Sequence, residues 1–285
     1  MKRKKFRFSN IAAVLPMYIF TVAFILGPIL YMLALSVFSK DGFSVRPDFT
    51  LRNFARIGEG VYFRTFLQST KLALITTALC IAVGYPFAWF MATLPKRFRG
   101  AALIALILPF WTSSVMRLRG WETIFQANGP LDDVLIALGI AKAPLGLLGS
   151  YPTIVFGMVY ALLPFMIYSV YTSAEKLDRR LLEASRDLGA GSVRAFLTVG
   201  FPLTIPGLFS GIILTFVPSM GLYFVADILG GGKTLLVGTL INNAKTQMFD
   251  KPFAAALSVT LLAITSLFMF AYRKLTGTDE LEGLA

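Results

Sequence analysis

Residues 72–95 read LALITTALCIAVGYPFAWFMATLP, twenty-four positions without a charged side chain, closed at either end by Lys71 and Lys96. A helix needs about 20 apolar residues to cross a hydrocarbon core about 30 Å thick, so this run is long enough to span a membrane. Five more charge-free runs flank it, at 8–39, 100–116, 143–174, 195–226 and 252–272. Lipid offers the backbone no hydrogen bonds, which leaves helices or a closed barrel. The runs are too long and too evenly apolar for barrel strands. The expected fold is an all-α polytopic membrane protein, one domain over 1–285, with six spans near 11–38, 72–94, 100–118, 151–173, 205–227 and 252–272. The third run is the shortest.

Composition agrees. Of 285 residues, 56% are hydrophobic and only 15% charged, with 26 Phe and 10 Met. A soluble domain carries roughly 25% charged residues. A disordered chain, a secreted disulfide scaffold and an ordinary cytosolic enzyme are excluded. The chain has no histidine, so imidazole serves neither as general base nor as metal ligand. Its one cysteine, Cys80, sits between Leu79 and Ile81 and reads as inert packing. The net charge of +12 is assigned to the flanks of membrane spans, not to nucleic acid.

Lys2, Arg3, Lys4, Lys5 and Arg7 precede the first run as in a signal peptide, but that run far exceeds the ~7–15 residues of a signal core. It is read as an uncleaved span with the N-terminus cytoplasmic, and six spans return the C-terminus to the same side of the cell (inner) membrane. Lys and Arg then number 15 inside and 11 outside, a modest positive-inside bias, and the outer loops carry seven acids. Pro16, Pro28, Pro86, Pro109, Pro164, Pro206 and Pro218 punctuate the runs. They suit a gate, or merely the usual proline content of membrane helices. Gly207 and Gly211 form a small-residue packing face.

The polar loop 175–202 is the informative stretch. Asp178 is placed to cap a helix, and Leu181, Leu182, Ser185 and Leu188 recur at helical spacing. Glu183 has Arg179, Arg180 and Arg186 three or four residues away as helical charge partners. Gly189 stops the helix. Ser192 is placed to cap a second short helix, Val193–Gly200, before Pro202. On pattern alone this is an amphipathic elbow at the membrane surface.

Glu183-Ala184-Ser185, three residues, Gly189, nine residues, then Val199-Gly200-Phe201-Pro202 resembles the cytoplasmic loop signature of ABC importer permeases. That pattern reads Glu-Ala-Ala, three residues, Gly, nine residues, Ile-x-Leu-Pro; this chain departs from it at Ser185, Val199 and Phe201. The resemblance implies a coupling helix that docks on a cytoplasmic ATPase, with Glu183, Ala184, Arg186, Asp187, Leu188, Gly189 and Pro202 as coupling residues. Gly84-Tyr-Pro-Phe-Ala-Trp-Phe90, Leu108-Pro-Phe-Trp-Thr112, Leu162-Leu-Pro-Phe-Met166 and Met220-Gly-Leu-Tyr-Phe-Val-Ala-Asp227 are similar to the first permease subunit of spermidine/putrescine importers. This similarity runs from about residue 14 to about 272. It implies a second homologous permease, two ABC ATPase subunits, an extracytoplasmic substrate-binding protein and membrane lipid as partners. No cofactor is expected on this chain; ATP and Mg would act through the partner ATPase.

Gly230-Gly-Gly-Lys-Thr234 ends like a phosphate-binding loop, but the required first glycine is Asp227, so nucleotide binding is rejected. A secondary transporter would place ionisable groups inside its spans, and these spans have almost none. A membrane enzyme would need a catalytic constellation that is absent. Asp227 is the only acid inside or abutting a predicted span. With Tyr223 one turn earlier, and Trp111, it is the candidate contact for a cationic substrate. The alternatives are a salt bridge to Lys233, a cap on the fifth helix and, for the aromatics, an interfacial belt.

Overall fold

The computed structural model describes residues 8–232 and 234–276. In chain order, α1 (Phe8–Thr21), a π-helical turn (Val22–Leu26) and α2 (Gly27–Ser36) precede a hairpin of β1 (Ser39–Asp41) and β2 (Ser44–Arg46). Next come α3 (Arg52–Ile57), α4 (Gly60–Thr93), α5 (Lys96–Ile107), a 3-10 turn (Leu108–Trp111), α6 (Ser114–Phe125) and α7 (Pro130–Ala137). Then follow α8 (Tyr151–Lys176), α9 (Arg179–Asp187), α10 (Ser192–Ala195), a second π turn (Phe196–Gly200) and α11 (Phe201–Gly221). The last elements are α12 (Tyr223–Leu229), α13 (Val237–Thr246) and α14 (Lys251–Thr276). By length and composition five helical stretches are able to cross a membrane, and a bent pair would make a sixth.

Prolines explain the irregular turns. Each π turn lies just ahead of one, Pro28 or Pro202, whose ring clashes with the carbonyl four residues back and whose nitrogen donates nothing. The ladder widens by one residue, so Gly27 N–H reaches Val22 O and Phe201 N–H reaches Phe196 O.

Two of the expected spans are broken. The third ends as a regular helix at Ile107; the chain passes Pro109 in the 3-10 turn, and the pair Lys96–Trp111 and Ser114–Ala137 bends by 84°. The fifth is a 30-residue helical stretch, Ser192–Gly221, that stops six residues before the expected end. Pro218 and Gly221 weaken its last turn, and Leu222 turns the chain at φ −77°, ψ 66°. Tyr223 and Asp227 therefore lie on the separate helix α12.

The chain forms two compact units, residues up to 63 with 240–264, and 64–239 with 265 onward. In the first, Ser39 pairs with Arg46 across the hairpin, and Gly42 takes the left-handed turn position at φ +59°. Asn53 donates to Ser36 O and Phe38 O and fixes the hairpin base. Asp250 caps α14 by accepting from Phe253 N–H at 3.1 Å and pairs with Arg56 at 3.1 Å. The guanidinium lies 4.0 Å from the Phe253 ring centroid. Burial works against the Arg56 charge, but the Tyr62 hydroxyl and the Asp250 carboxylate outweigh it and hold the pKa above its ordinary value.

In the second unit α8 runs along α11. One apolar cluster joins Cys80, Tyr85, Ala88 and Met91 to Leu162, Met166, Val170 and Tyr171. Tyr85 Oη shares a 2.6 Å hydrogen bond with Thr204 Oγ1 inside it. Another cluster joins Leu118, Trp121 and Phe125 of α6 to Ile154 and Met158 of α8 and Val225 and Leu229 of α12. Gly207 and Gly211 set the α8–α11 approach. A Cβ on Gly207 would overlap the Ser169 carbonyl and the Ser173 side chain; one on Gly211 would meet the Met166 sulfur.

Methionine yields and a backbone carbonyl does not. Gly207→Ala is expected to cost about 1–3 kcal/mol, and Gly211→Ala less than about 1 kcal/mol. Thermal unfolding of the purified protein in detergent checks the order; equal melting temperatures would contradict it.

Candidate functional site

The loop 175–202 is built from its helix ends inward. Helix α8 stops at Lys176, and Asp178 turns the chain and accepts from Arg180 N–H at 3.0 Å, the cap read from the sequence. Helix α9 closes in a Schellman turn: Gly189 N–H donates to Arg186 O at 2.9 Å and Ala190 N–H to Ser185 O at 3.1 Å. Gly189 holds φ +89°, and nothing lies within 4 Å of where a Cβ would stand. Glu183, Ala184, Arg186, Asp187 and Pro202 are exposed, and Leu188 is 90% exposed beside the turn. The turn thus presents an apolar side chain to its surroundings beside a sharp chain reversal.

Two expectations are corrected. Glu183 makes no ion pair with Arg179, Arg180 or Arg186 among the described residues. All four are exposed, where such pairs gain little and give way to water. Residues 193–200 are not a separate second helix; they are the first turns of the stretch Ser192–Gly221, and its cap position is Gly191 instead of Ser192.

Sequence reading missed the ties beneath α9. The C-terminal carbonyls of α4 need donors from outside the helix. Thr93 Oγ1 serves Phe90 O, Leu94 N–H serves Met91 O, and Arg179 reaches from α9 to Ala92 O at 2.5 Å. Arg99 Nε donates to Leu94 O at 2.9 Å, and its Nη1 pairs with Glu175 at 3.5 Å. The sequence offered one hint: an arginine just after a helix cap sits against the positive end of its own helix dipole and needs another reason to be there.

The candidate substrate residues are only partly brought together. Tyr223, 39% exposed, and exposed Asp227 are one turn apart on α12. Asp227 lies inside α12, so it does not cap the fifth span; the alternative partner Lys233 is outside the described residues. Trp111 is 82% exposed in the 3-10 turn. No hydrogen bond, ion pair or ring contact among the described residues joins it to Tyr223 or Asp227. Beside it Arg117, also missed, closes the broken span by donating to Pro109 O at 2.9 Å and to Thr112 O. Its guanidinium lies 4.4 Å from the Phe110 ring centroid.

Among solved structures, a chain in the crystal structure of a bacterial alginate ABC transporter, in complex with alginate pentasaccharide-bound periplasmic protein, matches with TM-score 0.73 at 14% identity. It covers 93% of this chain and 92% of its own. The MetNI methionine ABC transporter matches with TM-score 0.55 at 16% identity, over 75% and 93%. The fold is thus one shared with chains of these ABC transporters. No protein-family model matches the chain. The spermidine/putrescine transport system permease protein PotB of Escherichia coli (strain K12) is 41% identical over 266 residues, 92% of this chain and 97% of its own length. PotB of Haemophilus influenzae is 38% identical over 270 residues, 94% and 93%. The chain belongs to the family of spermidine/putrescine transport permeases; it is a multi-pass transport subunit, not itself an enzyme.

Proposed function

We propose that this chain is one of two homologous permeases in an ATP-driven polyamine importer of the cell (inner) membrane, with both termini cytoplasmic. The observation that carries this reading is the free end of α9. Leu188 is 90% exposed beside Gly189 at φ +89°, and both fall in the loop that resembles the importer signature. Of the two cytoplasmic ATPases one docks there and the other on the partner permease, and ATP and Mg act in those subunits. A substrate-binding protein delivers cargo from outside, and lipid surrounds the spans. The permease supplies two conformations, and both ATP and the loaded receptor bias their relative stability. Leu188 gives the ATPase its apolar contact, Ala184 leaves room for close approach, and Glu183, Arg186 and Asp187 set orientation. Pro202 fixes the widened turn through which the loop enters α11.

A polyamine is a flexible polycation, so its path needs acceptors. Asp227 offers charge and Tyr223 a hydroxyl and a ring face on α12, with Trp111 as a second aromatic surface. Arg117 beside Trp111 and the net positive outer loops oppose entry of a free polycation. Delivery therefore depends on the receptor.

Gly189→Asp separates docking from folding. Its left-handed backbone makes the substitution cost the chain about 1–2 kcal/mol, and no neighbour clashes with the new side chain. The subunit is expected to insert and assemble with its permease partner while receptor-stimulated uptake is lost. Normal uptake would contradict the docking assignment. For the path, Asp227→Asn is expected to abolish uptake of labelled putrescine and spermidine with assembly and ATP hydrolysis retained. Wild-type uptake would remove Asp227 from the path, and failed assembly would make it structural.

A further inference from the structure

The coupling helix is joined to its unit by backbone at both ends, by packing on the π turn Phe196–Gly200, and by one side-chain bond to α4. Helix α9 continues from α8 through Leu177 and Asp178, and leads into the stretch Ser192–Gly221 through residues 188–191. Any displacement of α9 reaches α8 and α11 through the backbone. Helix α4 has no such link. Between α9 and the end of α4 lies a cleft of about 210 Å³, lined by Trp89, Ala92 and Thr93 on one side and Leu182, Glu183 and Arg186 on the other. Across it passes the bond from the Arg179 guanidinium to Ala92 O, the only hydrogen bond or ion pair joining α9 to α4 among the described residues.

Its chemistry suits a tie. Arg179 is the first residue of α9, where a cation opposes the helix dipole, and it lies against the negative C-terminal end of α4, where a cation is favoured. Ala92 is buried as a residue and its carbonyl faces the cleft, so removing the arginine takes away its protein donor. The bond is charge-assisted, stronger than one between neutral groups. We infer that Arg179 is a positioning residue for transport: it makes the end of α4 follow the coupling helix when the ATPases close. Without it the end of α4 is held to the unit by its packing on α8 and by the Tyr85–Thr204 bond, and it follows α9 less closely.

This rests on α9 being the ATPase-docking helix, and the test separates the two claims. In the complete importer reconstituted in vesicles, Arg179→Gln is expected to lower polyamine uptake per ATP hydrolysed about tenfold, within the usual span of coupling energies, with Arg179→Lys between it and the unaltered protein. An unchanged ratio in Arg179→Gln would overturn the inference. Should that variant not assemble, spin labels at Thr93→Cys and Arg180→Cys in an otherwise intact importer, with Cys80→Ser, decide. Their separation is expected to stay constant when ATP binds, and a change would overturn the tie. Leu188→Asp tests the docking reading alone. Uptake and ATPase retention as in the unaltered protein would defeat that reading whatever Arg179 does, whereas lost uptake there beside an unchanged Arg179→Gln ratio would defeat only the tie.

Discussion

Inside a bilayer the backbone has no water to bond with, and every helix end or break must find its donors and acceptors within the protein. Three arginines serve such ends and breaks. Arg117 supplies the carbonyls freed where the third span breaks at Pro109 and Thr112. Arg179 and Arg99 supply Ala92 and Leu94 at the end of α4. An arginine presents a planar fork of donors and stays charged, so it serves several carbonyls at once where lysine offers a point charge. The two π turns meet the same demand differently, by sliding the ladder one residue around a proline.

The proposed path residues Trp111, Tyr223 and Asp227 lie at or beside these breaks. Helix breaks of the kind seen at Leu222 and Pro109 are where hinge motions place their φ/ψ changes, between stretches held by packing. The close α8–α11 pair, with Gly207 against the Ser169 carbonyl, forms one such rigid stretch. Helix α9 hangs between these two helices, anchored by backbone at both ends and by Arg179 at the side. Its far end is left bare at Leu188.

Much of this was legible in the sequence. Charge-free runs located the membrane helices, and Asp178 and Gly189 marked the ends of α9 because a side-chain oxygen and a missing Cβ do the same local work in any chain. What depends on distant partners was not legible. Arg179 finds its acceptor 87 residues away, and nothing in the loop specifies Ala92. The break at Leu222 was hidden because its cause, Pro218 with Gly221, lies within a run whose apolar character continues unbroken to Ala226. Helical spacing suggested partners for Glu183, but spacing brings exposed charges near one another without making them pair.

The central claim is that the bare end of α9 faces the cytoplasm and seats on a separate ATPase. Cross-linking from one position tests it directly. With the native thiol Cys80 replaced by Ser, Leu188→Cys is expressed with the complete importer and treated with a short thiol-to-amine cross-linker in inverted membrane vesicles. The expected outcome is a single product joining this chain to the ATPase subunit, reduced when ATP closes the interface around residue 188. No product with the ATPase, or labelling of the introduced thiol by an impermeant maleimide added outside intact cells, would contradict it.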